Sequence, residues 1–149
     1  MSPAQMKSLL LSKQERVIEI AGVCMLENKE QIIGILVQQQ EEEHVDSLNN
    51  PLRPYSLPYK KYKELEGKSG QTDFDNTGEF HAEMNLRVDG SEYEFESPSR
   101  TDTGVLKSEW LTEWNGSPVM MLTEENKALV AQIIEPSFRE KMNSDSLFD

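Results

Sequence analysis

Pro51, Pro54 and Pro58 fall within eight residues of one another. Each fixes φ near about −65° and removes a backbone donor. No helix or central strand can run unbroken through such a segment, so the chain is cut into a part before it and a part after it. The intervening residues of Asn50-Pro51-Leu52-Arg53-Pro54-Tyr55-Ser56-Leu57-Pro58-Tyr59 include two tyrosines and two leucines. The pattern predicts an extended arm that offers aromatic surface to something else. Residues 44–79 as a whole read as an extended Pro/Tyr arm and linker. At about thirty-five residues this far exceeds ordinary loops, and loops of that length carry function or disorder.

Before the arm, residues 3–43 read as helical. Ser2-Pro3 is a good helix opening, and Leu10, Val17, Ala21, Cys24, Ile32 and Ile35 recur at roughly helical spacing. Ser12-x-x-Glu15 and Asn28 are possible breaks, so one long helix and two or three short ones both fit. Gln38 to Glu43 has no apolar member and reads as a solvated or fraying end. After the arm the period changes to two. Phe80, Ala82, Met84, Leu86 and Val88 alternate with polar residues, Asp89-Gly90 supplies a turn, and Tyr93 and Phe95 follow. A second pair of strands is expected across 109–114 and 119–122 around Asn115-Gly116, which places β-hairpins over 80–122. Thr123 caps a C-terminal helix over 123–142, which Pro136 is expected to end. The fold class that follows is a single α+β domain: an N-terminal helical region, antiparallel β-hairpins in a small sheet, and a C-terminal helix packed on one face.

A length of 149 residues suits one domain. With 36% apolar residues and a mean hydropathy of −0.63, the chain is polar yet periodic enough to fold. Its net charge of −12 repels phosphates and argues against a nucleic-acid ligand held by basic contacts. The single Cys24 sits among apolar residues and reads as a buried thiol. No segment resembles a signal peptide or membrane span, so synthesis in the cytoplasm with no membrane partner is expected.

Catalytic chemistry finds little support. His44 and His81 are the only residues of their type, and His81 is expected on the polar face of the hairpin, between Glu79 and Glu83. No nucleophile elbow, phosphate loop or zinc pattern is present. Asp73-x-Asp75-x-Thr77-Gly78 begins like a calcium loop, but its twelfth position is Met84. The reading is therefore of a protein that is not an enzyme, with no cofactor and no metal. Its working residues are interface candidates: Leu52, Arg53, Pro54, Tyr55, Tyr59, Lys60, Lys61 and Lys63 in the arm, with Trp110 and Trp114 as contact aromatics.

The arm, then Gly67-Lys68-Ser69, Asn76-Thr77-Gly78-Glu79-Phe80 with Met84 and Leu86, and Leu122-Thr123-Glu124-Glu125-Asn126 occur in an order that resembles small neck and tail-completion proteins of tailed bacteriophages. The resemblance covers roughly residues 45–142. It implies a structural virion protein that joins head or neck to tail by forming a ring around the DNA channel. Its partners would be other copies of itself and neighbouring neck, portal-adaptor or tail proteins, with DNA passing through without specific binding. Negative charge suits the wall of such a conduit. The arm and the lysines from Lys60 to Lys68 are expected to reach a neighbour's acidic surface. The alternative is an acidic phage-encoded inhibitor or DNA mimic that binds a host factor, suggested by the charge and the row Glu92, Glu94, Glu96.

Overall fold

A computed structural model describes all of residues 1–149. The first helix, α1 (Pro3–Glu27), opens with the reciprocal cap that Ser2 allows: Ser2 Oγ accepts from Gln5 N at 3.2 Å, and Gln5 Oε1 accepts from Ser2 N at 2.7 Å. Ser12 does not restart it, because its hydroxyl donates back to Ser8 O inside a continuous helix. Asn28 does interrupt it, with its amide donating to Cys24 O at 2.8 Å. The second helix, α2 (Lys29–Gln38), widens into a π-helical turn over Gln39–Glu43, and His44 ends the run in the left-handed region.

Residues 44–79 are not an extended arm. Leu52 is buried, its N–H bound to His44 O, and α3 (Leu57–Leu65) begins at Ser56, whose hydroxyl accepts from Tyr59 N. Pro58 lies in the first turn of that helix, where a missing N–H costs nothing. Pro58 therefore helps to start a helix, while Pro51 bridges to Val45, and the prolines do not stiffen a tether. A short helix, α4 (Glu79–Ala82), follows Gly78, which takes φ 82°. It occupies what the alternation of Phe80 and Ala82 predicted as strand.

The hairpin consists of β1 (Asn85–Asp89) and β2 (Glu92–Glu96), antiparallel, with Leu86 opposite Phe95 and Val88 opposite Tyr93. It is the whole sheet. The expected second strand pair is instead α5 (Lys107–Asn115) followed by an irregular segment. Asn115-Gly116 closes a helix and not a hairpin, with Gly116 left-handed and its N–H on Thr112 O. The last helix, α6 (Glu124–Ser144), is capped by Thr123 as expected but continues through Pro136. Ser137 Oγ donates to Ile134 O beside the proline, and ion pairs Lys141–Glu27 and Arg16–Asp145 pin the end of α6 to the second half of α1.

The core lies where α1, α2, the hairpin and α6 meet, with Ile32, Leu36, Leu86, Val119 and Leu122 nearly inaccessible. Burying each such side chain stabilises the fold by about 1.5–3 kcal/mol. Cys24 is buried there, as its apolar neighbours implied. At Gly22, α1 passes so close to β1 that a Cβ would stand 3.2 Å from Val88 Cγ1.

Asp46 anchors the start of the segment after the π turn. Its carboxylate, 1% exposed as a residue, accepts from the N–H groups of Leu48 and Asn50, from Ser117 Oγ and from Asn115 Nδ2. Burial alone would push this carboxyl up, but the four donors together hold it below its ordinary value. A depressed carboxyl contributes stability in full above the unfolded value of about 3.9 and loses it as pH falls through the folded one. Urea midpoints measured down a pH series are therefore expected to fall less steeply below about pH 4 for Asp46→Asn than for the wild type. Parallel curves would show that Asp46 carries none of the acid sensitivity.

Candidate functional site

Tyr55, at the end of the proline stretch, is held from two sides. Its hydroxyl accepts from Phe74 N at 3.0 Å, and its ring stacks on Trp114 of α5 at 6.0 Å between centroids. Burial pushes its phenol up to about 12. Tyr59, one turn into α3, meets Tyr55 edge to face at 4.8 Å. Trp110 and Trp114 are one helical turn apart on α5 and stack at 6.0 Å with planes 8° apart. Their four-residue spacing puts them on one face of this helix, where a strand was expected.

Arg53 ties the two elements together: its N–H donates to Asn115 Oδ1 at 2.8 Å, its Nη1 to Trp114 O at 3.0 Å, and its guanidinium lies 5.2 Å from the Trp114 ring centroid. Pro54 is exposed beside it. Among the predicted lysines, Lys60 and Lys61 point to solvent. Lys63 does not. Its side chain is wholly buried, paired with Asp73 and 4.9 Å from the centre of the Tyr55 ring. Of the ten interface candidates, then, Leu52 and Lys63 are interior residues, Tyr55, Tyr59, Trp110 and Trp114 line one region that Arg53 braces, and Pro54, Lys60 and Lys61 face solvent.

That region is a cleft of about 440 Å³ between α3, α4 and α5. Tyr55, Tyr59, Trp110 and Trp114 form one wall, Phe74 and Phe80 the other, and Asn76, Thr77 and Lys107 the rim. Trp110 is 48% exposed at its mouth. Phe74 and Lys107 were not read as site residues. Phe74 takes a left-handed φ of 60°, a conformation that costs a bulky residue of order 1–3 kcal/mol. Tyr55 offsets this through the hydrogen bond to its N–H, and the ring is buried edge to face against Phe80 at 6.4 Å. No local sequence signal marks such a residue, since the partner that holds its backbone, Tyr55, is nineteen residues away.

The carboxylates that resembled a calcium loop are engaged by ammonium groups, Asp73 by Lys63 and Asp75 by Lys68 at 3.4 Å. No group of three or more His, Cys, Asp or Glu side chains is arranged to hold a metal ion. His81 stands on α4 and not on a strand face, with its side chain 7% exposed. Its Nε2 is 2.9 Å from Gln40 Oε1, and Nδ1 lies 2.8 Å from Glu41 Oε1 without hydrogen-bond alignment. Burial lowers its pKa against the opposing pull of Glu41. His44 Nδ1 lies 2.9 Å from Thr72 O. No helix is long and apolar enough to cross a membrane.

No protein-family profile matches the chain, and no match is found among curated proteins or solved structures.

Proposed function

We propose that this chain is a structural virion protein of a tailed bacteriophage, joining head or neck to tail as one copy in a ring around the DNA channel. One observation carries the reading. Two segments that bear the resemblance, the proline–tyrosine stretch and Asn76-Thr77-Gly78-Glu79-Phe80, are about twenty residues apart in sequence yet line one cleft. A half-exposed tryptophan at the mouth of an aromatic cleft has the composition of a contact hot spot. Lys107 on its rim and the solvent-facing Lys60 and Lys61 of α3 favour an acidic neighbour, and the net charge of −12 makes another copy, or a protein like it, such a neighbour. The DNA-mimic alternative draws less support, because Arg87 pairs with Glu94 and lies 3.9 Å from Glu96, breaking the row of free carboxylates on β2.

Replacing Tyr55 would test the fold rather than the contact, since its hydroxyl and ring hold Phe74 and Trp114. The informative pair is Trp110→Ala with Tyr59→Ala. The purified double variant is expected to keep its circular dichroism spectrum while its abundance in virions, read by mass spectrometry, drops about tenfold or more, the effect of losing over 1.4 kcal/mol at a hot spot. Wild-type protein absent from virions would remove the proposal. Undiminished incorporation of the folded double variant would remove the cleft from it.

A further inference from the structure

Residues 1–12 are exposed at every position, although α1 is continuous from Pro3 to Glu27. The buried residues of the helix are Ile20, Cys24 and Met25, and Arg16 marks where the end of α6 meets it. The first ten or so helical residues therefore project past the body by about 15 Å at 1.5 Å per residue. They carry Met6, Leu9, Leu10 and Leu11, each between 38% and 61% exposed. The segment also differs in charge from the rest: residues 1–14 hold Lys7 and Lys13 and no carboxylate, so the residues after them carry more negative charge than the −12 of the whole chain.

A second apolar surface lies on the body. A groove of about 500 Å³ runs between β2 and the segment before α6, floored by Tyr93, Pro118, Met120 and Met121, with Met121 51% exposed. Glu92 and Glu94 stand on its rim, Glu92 without an ion-pair partner, and Lys127 there is bound to Glu124 at 2.9 Å. An uninterrupted helix cannot fold back to reach a surface on its own body.

We infer that the projecting half of α1 docks in the Tyr93–Met121 groove of a second copy of this chain, with Met6, Leu9 and Leu10 on its floor and Lys7, on the flank of that face, against its acidic rim. The contact joins two different surfaces, so it is head to tail: each copy offers a free helix and a free groove, and the arrangement propagates until it closes. The inference rests on the self-assembly in the proposed function but not on its viral setting. The aromatic cleft takes no part in this contact and remains free.

The test uses sedimentation of the purified full chain at low and high salt over a wide concentration range. Wild type is expected to form species beyond dimers that weaken as salt rises. Leu10→Asp and Met121→Asp, both at exposed positions, are each expected to be monomeric with unchanged circular dichroism. Mixed together they should give a dimer and nothing larger, because one intact helix meets one intact groove. Met6→Glu and Glu92→Lys serve the same purpose should either first variant fail to fold. Self-association of the groove variant would mean that the helices pair with each other and would overturn the inference. So would a wild type that stays monomeric throughout, whether or not its α1 binds anionic vesicles. A chain that assembles in this way but is absent from virions would leave the inference standing and remove the proposed function.

Discussion

Asp73→Ala is expected to lower the stability of this protein by about 3–5 kcal/mol, because it leaves a buried ammonium without its counter-charge. Lys63 Nζ has no access to water, its ion-pair partner is Asp73, and the face of Tyr55 is the remaining attraction. Lys63→Met is expected to cost less, since the Asp73 carboxylate retains the N–H of Asp75 at 3.0 Å and is 10% exposed. Lys63→Met combined with Asp73→Asn should recover most of the loss, as apolar or neutral replacements of a whole buried pair often do. Urea denaturation of the three variants checks the order, and for a chain of this size the Asp73→Ala loss corresponds to roughly 6–20 °C in Tm. A loss under about 0.5 kcal/mol for Asp73→Ala would show that solvent reaches the lysine. The consequence extends to the cleft, because this pair fixes α3 against the Phe74 loop and so sets the distance between the two aromatic walls.

The same pair shows why the middle of the chain was misread. Lys60, Lys61, Lys63 and Lys68 form one basic cluster in sequence, but the helical turn of α3 points Lys63 inward while Lys60 and Lys61 face solvent. The prolines were legible as interruptions. Their use as a helix start was not, because Ser56 and Pro58 form a cap only once Leu57 to Leu65 coil. What was legible is local: the Ser2 cap, the Asn28 break, the alternation of the hairpin from Leu86 to Phe95, and the Thr123 cap of α6; the hairpin's register was not, because the turn falls on Gly90-Ser91 and not on Asp89-Gly90, which sets Leu86 opposite Phe95. The aromatic site was half legible. Tyr55, Tyr59, Trp110 and Trp114 stand out by type, but their meeting depends on Arg53 and Asn115 joining segments sixty-two residues apart, which no spacing rule encodes.

Gln39→Leu is expected to be the most damaging change outside that pair, and the reason is the absence of a second hairpin. The segment Val119–Leu122 has the composition of a strand but no neighbouring strand, so its backbone groups must be met in some other way. The two fully buried glutamines of the π turn meet them. Gln39 Nε2 donates to Met121 O at 3.0 Å, Gln39 Oε1 accepts from Thr123 N and Asn126 Nδ2, each at 2.9 Å, and Gln40 Nε2 donates to Val119 O at 2.8 Å. The polar run that reads as a solvated helix end is thus a substitute for a β-ladder. The wider π geometry places adjacent residues 39 and 40 so that both point inward, which two successive positions of an ordinary helix do less readily. Leucine at position 39 keeps the volume but orphans a carbonyl, a backbone N–H and a side-chain amide, each at about 1–3 kcal/mol. Because Asn126 retains Glu43 Oε2 at 3.1 Å as a second acceptor, the expected total is nearer about 3–4 kcal/mol than the sum of three full penalties. Gln39→Glu supplies the acceptor but not the donor and should fall between leucine and wild type at neutral pH. Equal urea midpoints for Gln39→Leu and wild type would mean that water reaches the segment, and hydrogen exchange at the Thr123 amide would then be fast in the wild type as well.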